Sequence, residues 1–215
     1  MSFAEPPQTI NGVQDVVDAH TVQIPNISRS PTSITTSEEQ QPTELLFVGS
    51  LGYLPNQEGI LWFISEVMPL LPGVKLRIVG TFPSPQLRAL ESEDIRIAAH
   101  VPEVDSWYAS AAVAIVPLFA GSGTRTKILE AWAHGVPVVS TAIGIEGIEE
   151  TSGAIVADTA ASFASACHKL LNDTDAAKQI AAAGHQTWAQ KYSLPRAHHH
   201  ISLAVEKALE LGNAR

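Results

Sequence analysis

The pattern that most constrains the fold begins at Glu44, where short apolar runs start to alternate with segments of helical periodicity. Strands separated by helices run parallel, because each helix returns the chain to the same edge of the sheet. We predict strands at 45–49, 74–80, 94–98, 113–118, 137–141 and 154–156. We predict helices at 59–71, 85–91, 106–110, 159–171, 176–191 and 195–211, and one more after Gly121. The sequence therefore predicts a single Rossmann-like α/β domain with a parallel sheet, helices on both faces and a helical C-terminus.

Residues 1–43 differ in texture from the rest of the chain. Three prolines precede Asn26, and residues 28–43 are rich in Ser, Thr, Pro and Gln. Such a composition buries little apolar surface. We therefore predict a linker-like, loosely packed arm over residues 1–43 and a folded domain over residues 44–215.

Charge, hydropathy and cysteine content exclude several classes of protein. The 215 residues carry a formal net charge of −9, with acids spread along the chain, which argues against nucleic acid or an anionic membrane as a general partner. No apolar stretch is long enough to span a bilayer, and residues 1–7 lack the basic flank and apolar run of a signal peptide. The single cysteine, Cys167, has no second thiol to pair with, so we expect it in the core. These observations predict a cytoplasmic protein.

A glycine-rich turn leads from an apolar run into a helix. Gly121 and Gly123 let the backbone approach a ligand closely, and the first-turn amides of the helix have no partner within it. Arg125 and Lys127 add two cations where the helix dipole already favours an anion. The pattern predicts an anion-binding site, with Glu130 one turn deeper as an acceptor for hydroxyl groups. The alternative is an ordinary surface pair of Lys127 and Glu130, with Arg125 in solvent.

The run from Gly121 to Thr141, G-S-G-T-R-T-K-I-L-E-A-W-A-H-G-V-P-V-V-S-T, is followed by I-G-I-E-G at residues 143–147. Together they resemble the donor-binding half of the family 4 (group 1) retaining glycosyltransferases. The resemblance covers roughly residues 44–193 and is specific over 121–147. It implies the C-terminal half of a GT-B fold, which has two Rossmann domains. It also implies a nucleotide-diphospho-sugar as co-substrate, with no separate cofactor and no obligatory metal.

The resemblance assigns roles to residues within this run. It implies a diphosphate site formed by Gly121, Gly123, Thr124, Arg125 and Lys127. Many relatives carry two glutamates eight positions apart, and Glu130 corresponds to the second, which contacts the ribose. The first falls on Ser122, so its sugar-side contact is changed in this chain.

Other residues are implied on the sugar or base side of the ligand: Gly49, Ser50, Ser122, Val101, Glu103 and Glu146. In the family, the loop after the first strand often carries an Arg and Lys clamp for the diphosphate. Here Ser50 and Asn56 or Gln57 stand at those positions, so Arg125 and Lys127 have to supply the countercharge. The alternatives are a plain turn at residues 49–52, an ordinary strand-to-helix connection at 101–104, and a solvated acid at Glu146.

Three consecutive histidines, His198, His199 and His200, suggest a metal site at first sight. Adjacent residues on a helix diverge by about 100°, so three consecutive imidazoles do not converge on one ion without breaking the helix. We predict a solvated helix start at these residues and no metal site.

The functional prediction is sugar transfer from a nucleotide-diphospho-sugar to an unidentified acceptor, with retention of configuration and with catalytic residues unassigned. An I-P-N segment at residues 24–26 resembles the joint between the two domains of the family, so we expect most of an acceptor domain to lie outside this chain. The rival hypothesis is a truncated, non-catalytic nucleotide-sugar-binding module. A partner chain or a second copy is then expected to cover the face of the missing domain.

A third hypothesis, an NAD-binding Rossmann domain, is disfavoured by glycine spacing. Gly49 and Gly52 follow the first strand as G-x-x-G, and no acid stands at the usual ribose position about 20 residues on. The sugar, the base and the acceptor are not specified by these patterns.

Overall fold

The computed structural model describes Ser28, residues 44–121, Gly123 and residues 125–213. The arm predicted over residues 1–43 lies outside the described residues, apart from Ser28. Two residues of the glycine-rich turn, Ser122 and Thr124, lie outside them as well.

Ser28 packs against the C-terminal part of the domain. Its side chain is buried, and its Oγ accepts a hydrogen bond of 2.7 Å from the indole Nε1 of Trp188. Its amide donates to the carbonyl oxygen of Tyr192 at 3.3 Å. This one residue of the predicted arm is therefore in contact with the folded domain.

Six strands form one parallel sheet in the order β3-β2-β1-β4-β5-β6. They are β1 Glu44–Val48, β2 Lys75–Gly80, β3 Ile95–Ala99, β4 Ala111–Val116, β5 Val138–Ser140 and β6 Ala154–Val156. Each adjacent pair is parallel, and Leu45 of β1 lies beside Leu76 on one side and Val113 on the other. The parallel sheet predicted from the sequence is confirmed, and each strand lies within two residues of its predicted ends.

The connections between strands are helical, and three more helices form the C-terminal part. The helices are α1 Leu54–Trp62, α2 Pro85–Arg88, α3 Asp105–Ala109, α4 Thr126–Ala133, α5 Ala142–Ile145, α6 Ala160–Asn172, α7 Thr174–Thr187 and α8 Leu194–Asn213. A π-helical turn at Phe63–Val67 and a 3₁₀ turn at Met68–Leu70 extend α1, and a π-helical turn at Trp188–Tyr192 extends α7. The Rossmann-like α/β fold with a helical C-terminus is confirmed.

The largest errors of the sequence prediction are at α1 and α5. Helix α1 begins at Leu54 rather than at the predicted residue 59, because Pro55 fits a first helical turn, where its missing N–H leaves no bond unmade. Helix α5 was not predicted, since four residues are too few to show a periodicity. It is capped by Thr141, whose hydroxyl accepts from the amide of Gly144 at 3.0 Å.

Helices cover both faces of the sheet, which divides the core in two. On one face, Phe63 after α1 packs edge to face against Phe163 of α6, and Cys167 is buried beside them as predicted. On the other face, Tyr108 of α3 and Trp132 of α4 are buried against the sheet. Ile128 and Leu129 of α4 also belong to the second of these cores.

Two glycines allow close backbone contacts near the ends of β1, β2 and β4. A Cβ atom on Gly80, at the end of β2, would overlap the carbonyl oxygen of Gly49, just after β1. A Cβ atom on Gly59 of α1 would overlap the carbonyl oxygen of Pro117, just after β4. The backbone after β1 therefore lies in a fixed position at the carboxyl edge of the sheet.

The last helix, α8, packs against the domain by its first turns, where Ala197 is buried. Further along it exposes Ile201, Val205 and Leu209. Among the described residues, no helix is both long enough and apolar enough to cross a bilayer.

Candidate functional site

The order of the strands reverses between β1 and β4, which is where an open parallel sheet has a crevice at the carboxyl ends of its strands. From this point the chain progresses outward through β2 and β3 on one side and through β5 and β6 on the other. Connections leaving β1 and β4 therefore turn to opposite faces of the sheet, and ligands of open parallel sheets bind in the space between them. The loop from Gly49 to Tyr53 borders one side of the crevice, and Gly121, where a Cβ atom would lie 3.3 Å from the Tyr53 hydroxyl, borders the other.

Lys127, in the first turn of α4, points its ammonium group across this crevice. Its Nζ donates a hydrogen bond of 2.6 Å to Oδ1 of Asn56 and lies 4.5 Å from the ring centroid of Phe47. A Cβ atom on Gly49 would lie 3.2 Å from Nζ. The predicted diphosphate residue Lys127 and the predicted sugar-side residue Gly49 are therefore neighbours.

The ammonium group of Lys127 is electrostatically unsatisfied. Burial, followed by repulsion from Arg125, lowers the pKa of Lys127 from its ordinary 10.5 to about 8, although the charge of Glu130 opposes the shift. Within the described part of the chain, no ion pair joins Lys127 to a carboxylate. The alternative hypothesis of a surface pair between Lys127 and Glu130 is therefore wrong. A bound anion would supply the missing countercharge.

The sequence analysis places Asn56 or Gln57 at a clamp position of the family but does not predict that Asn56 contacts Lys127. The Asn56 side chain is buried in the first turn of α1, and its Nδ2 donates to the carbonyl oxygen of Ser50 at 2.8 Å. One amide group thus joins the loop after β1 to Lys127 of α4. A polar residue in the helical turn after a strand does not by itself predict a binding site. Its contact with Lys127 depends on the fold, which brings the two residues together.

Arg125 connects the glycine-rich turn to the segment around α5. Its Nη2 donates to the carbonyl oxygens of Gly121 at 3.2 Å and Ile143 at 2.8 Å, and lies 3.4 Å from Oε2 of Glu146. The Arg125 side chain is only 8% exposed, whereas that of Glu146 is 65% exposed. The buried Nε of Arg125 has no hydrogen-bond partner among the described residues. The alternative hypothesis that Arg125 lies in solvent is therefore wrong.

Glu130 lies one turn below Lys127, beside the buried side chain of Tyr108. The Tyr108 hydroxyl is 3.2 Å from Oε2 of Glu130 and 3.3 Å from the carbonyl oxygen of Lys127. Burial raises the pKa of Glu130, and the hydrogen bond from Tyr108 opposes that shift. Burial and the neighbouring carboxylate raise the pKa of Tyr108 well above its ordinary value, so Tyr108 is a hydrogen-bond donor at neutral pH.

Two of the predicted residues follow β3, the edge strand of the sheet. Val101 and Glu103 lie between β3 and α3, on the side of the sheet beyond β1 and β2. Glu103 accepts hydrogen bonds from the hydroxyl and the amide of Ser106 at 2.6 and 3.2 Å, and these bonds lower the pKa of its carboxyl group. That carboxylate therefore already caps the start of α3.

Two non-glycine residues near the ends of β2 and β3 have an unusual backbone conformation. Phe82 and His100 both have φ of 57°, a region that side chains disfavour, and their rings meet edge to face with centroids 5.3 Å apart. Phe82 is 68% exposed and approaches Gly52 in the loop after β1. Sequence patterns gave no indication of this pair. It places an exposed aromatic ring at the same edge of the sheet as the crevice.

No cluster of three or more metal-ligating side chains occurs among the described residues. His198, His199 and His200 lie in the first half of α8, where consecutive side chains diverge around the helix.

Comparison with known proteins identifies the family. A protein-family model described as glycosyl transferases group 1 matches residues 42–173, which is more than half of the chain. The chain belongs to this family. The resemblance of residues 121–147 to group 1 glycosyltransferases is thereby confirmed.

A curated relative of this glycosyltransferase domain covers part of the same region. It is an uncharacterized 44.6 kDa protein in the cps region of Klebsiella pneumoniae, 28% identical over 127 residues. The match takes in 51% of this chain and 31% of the relative. This chain therefore corresponds to only part of that protein.

Solved glycosyltransferases share the fold. Sucrose-phosphate synthase from Thermosynechococcus elongatus matches with a TM-score of 0.69 and 17% identity, over 87% of this chain and 52% of its own. Pneumococcal O-GlcNAc transferase GtfA, solved with UDP and GlcNAc, has a TM-score of 0.62 and 15% identity, over 93% of this chain and 43% of its own. Anabaena HepE, solved with UDP and glucose, has a TM-score of 0.61 and 13% identity, over 93% of this chain and 53% of its own. The fold is that of one GT-B domain, and the chain spans about half the length of these enzymes.

Proposed function

We propose that residues 44–215 form the nucleotide-sugar-binding domain of a retaining glycosyltransferase of family 4, with residues 1–43 as an arm that leads into it. The observation that carries the proposal is the ammonium group of Lys127, which is held by Asn56 at the crevice without an anionic partner among the described residues. A nucleoside diphosphate is an anion of suitable size at such a strand-order reversal. The UDP bound in the solved HepE and GtfA structures supports this choice of ligand.

In the proposed complex, the diphosphate lies between the loop after β1 and the start of α4. Its binding residues would be Gly121, Gly123, Thr124, Arg125 and Lys127. When the bond to the sugar breaks, negative charge grows on the departing diphosphate. Lys127 would stabilise that charge directly. Arg125 donates to the carbonyl oxygen of Gly121, and its Nε, which has no partner among the described residues, would be available to donate.

Other contacts in the proposed complex concern the nucleoside and the sugar. Glu130 accepts hydrogen bonds from the ribose. The base-side and sugar-side residues would be Gly49, Ser50, Ser122, Val101, Glu103 and Glu146. Glu146 keeps an exposed carboxylate beside Arg125, which suits a contact to sugar hydroxyls. No side chain of the described residues is assigned as a general base or a nucleophile.

A second candidate function is nucleotide-sugar binding without turnover, with the acceptor site supplied by a partner chain or a second copy. The observation that favours it is a set of exposed apolar side chains at the carboxyl edge of the sheet. These are Tyr53, Leu54, Phe82, Phe119 and Ile143. Apolar groups around a polar crevice are typical of a surface that another domain or chain covers.

Calorimetric titration with UDP, GDP and ADP tests the binding that both candidates share. We expect one of the three to bind with a dissociation constant in the micromolar range, on the order of −8 kcal/mol. Charge-assisted bonds to the diphosphate are available to all three nucleotides, so the base decides which of them binds. Failure of all three to bind would contradict the proposed function. Release of the nucleoside diphosphate from the matching nucleotide-sugar, with transfer of the sugar to an acceptor, then separates catalysis from binding alone.

A further inference from the structure

The side chain of Glu130 is held by a hydrogen bond from Tyr108, which lies outside the sequence motif. Tyr108 comes from α3, is 1% exposed and reaches through the second core to Oε2 of Glu130. The same hydroxyl also lies near the carbonyl oxygen of Lys127, but a carboxylate is the stronger acceptor for its single proton. Because Oε2 is engaged in this way and no described residue donates to Oε1, Oε1 is left to accept a hydrogen bond from a ligand.

Tyr108 is itself held in position by His134, at the end of α4. The two rings stack with centroids 4.8 Å apart and planes inclined by 21°. Both imidazole nitrogens of His134 face oxygen atoms, since Nδ1 lies 2.7 Å from the carbonyl oxygen of Glu130 and Nε2 lies 3.1 Å from Oδ1 of Asp105. These two contacts fix the orientation of the imidazole ring that stacks on the phenol. The phenol, the imidazole and two acids thus form one network beneath the crevice.

We propose that Tyr108 is a positioning residue for nucleotide recognition, in that its hydroxyl holds the Glu130 carboxylate so that Oε1 accepts a hydrogen bond from a ribose hydroxyl. This inference rests on the proposed function, because it takes a ribonucleotide as the ligand. Tyr108 does not touch the ligand in this account. Its effect is transmitted through Glu130 alone.

The network also sets the charge of Glu130. The groups that face Glu130 are Tyr108, His134 and Lys127, which favour its charged form, and Asp105, which opposes it. Loss of the Tyr108 hydroxyl removes the largest of the favourable influences, so the pKa of Glu130 rises further. A protonated Glu130 is a poorer hydrogen-bond acceptor. Without the Tyr108 hydroxyl, the weakening of nucleotide binding at acid pH would therefore begin at a higher pH.

The test is the variant Tyr108→Phe, which keeps the ring and removes the hydroxyl. The probes are UDP and 2′,3′-dideoxy-UDP, or the same pair with whichever base the unmodified chain prefers. We expect the unmodified chain to favour the ribonucleotide by about tenfold or more, since a hydrogen bond to a charged group is worth about 1.5–3 kcal/mol. Tyr108→Phe is expected to reduce this preference to about twofold and to move the acid limb of the binding profile to higher pH. Tyr192→Phe, in the π-helical turn after α7, is the matched control and is expected to change neither.

Each outcome decides the inference. Unchanged ribose preference and an unchanged acid limb in folded Tyr108→Phe would overturn the positioning role while leaving the proposed function intact. Failure of the unmodified chain to bind any nucleotide would overturn both. If Tyr108→Phe does not fold, replacement of the three tyrosines by 3-fluorotyrosine is the second measurement. The stronger acid is then expected to shift the acid limb to lower pH, and no shift would count against the inference.

Discussion

Replacing Lys127 with methionine is expected to weaken nucleotide binding while making the ligand-free domain more stable. A charge-assisted hydrogen bond to phosphate is worth about 1.5–3 kcal/mol, so the dissociation constant should rise at least tenfold and up to about 150-fold. The stability effect has the opposite sign because the ammonium is buried without a carboxylate partner in the described part of the chain. A pKa lowered from 10.5 to about 8 corresponds to a cost of ~3 kcal/mol at neutral pH.

The expected gain in stability is smaller than that cost. In Lys127→Met the Oδ1 atom of Asn56 loses its hydrogen-bond donor. This loss offsets about 1–3 kcal/mol of the gain in the free energy of unfolding. A net gain of about 1 kcal/mol remains, equivalent to a rise of ~2–4 °C in Tm for a domain of this size. Thermal unfolding without ligand and calorimetric titration with nucleotide measure the two effects separately.

The matched control is Lys191→Met, which removes an equally flexible cation outside the crevice. Lys191 is 42% exposed and lies 3.6 Å from Glu149 at the surface. Exposed pairs of this kind contribute about 0–1 kcal/mol, so neither binding nor Tm should change appreciably. Nucleotide binding that survives Lys127→Met within a factor of two would show that the ammonium group is not the phosphate ligand. A fall in Tm without loss of binding would assign it a structural role instead.

Nucleotide affinity is expected to decrease as the pH rises above about 8, by up to tenfold per pH unit. The free chain holds Lys127 with a pKa of about 8, and only the protonated amine attracts the diphosphate. Bound anion favours the ammonium form, so its pKa is higher in the complex than in the free chain. The affinity therefore falls between those two pKa values and levels off above the higher one. Titrations at pH 7, 8, 9 and 9.5 measure the slope.

The stability of the ligand-free chain is expected to change with pH in the opposite direction. The pKa of Lys127 is lower in the folded chain than its ordinary value of 10.5 in the unfolded one, so the unfolded chain binds more protons between pH 8 and 10.5. Stability contributed by this group therefore rises with pH across that window. In Lys127→Met both pH dependences should disappear. An affinity that is constant from pH 7 to 9.5 in the unmodified chain would contradict the pKa on which this prediction depends.

Much of the fold could be predicted from local sequence patterns. The apolar runs that form β2 and β4 and the helical spacing of α6 are encoded in neighbouring residues, so their types and approximate ends follow from periodicity. Helix α1 begins at Leu54, ahead of the helical spacing that starts at residue 59, because Pro55 is favourable in a first helical turn but carries no periodic signal. The helix α5 depends on a cap from Thr141, and a motif that short has no periodic signal.

The candidate site was predictable only where its residues are close in sequence. Lys127 and Glu130 were found because glycines and charges occur together at one helix start. Their partners were not found, since Asn56 is 71 residues from Lys127 and Tyr108 is 22 residues from Glu130. A sequence pattern indicates which groups are available, but the burial of a cation and the bonds that hold it depend on how the strands are ordered.

A crystal structure of this chain with the nucleoside diphosphate that it binds is the most direct test of the proposed donor site. We expect a phosphate oxygen about 2.8 Å from Nζ of Lys127, the usual length of a charge-assisted hydrogen bond, at the crevice between β1 and β4. The ribose hydroxyls are expected beside Glu130. Phosphates bound away from the crevice, with Lys127 still bonded to Asn56 alone, would contradict the assignment of this crevice as the donor site.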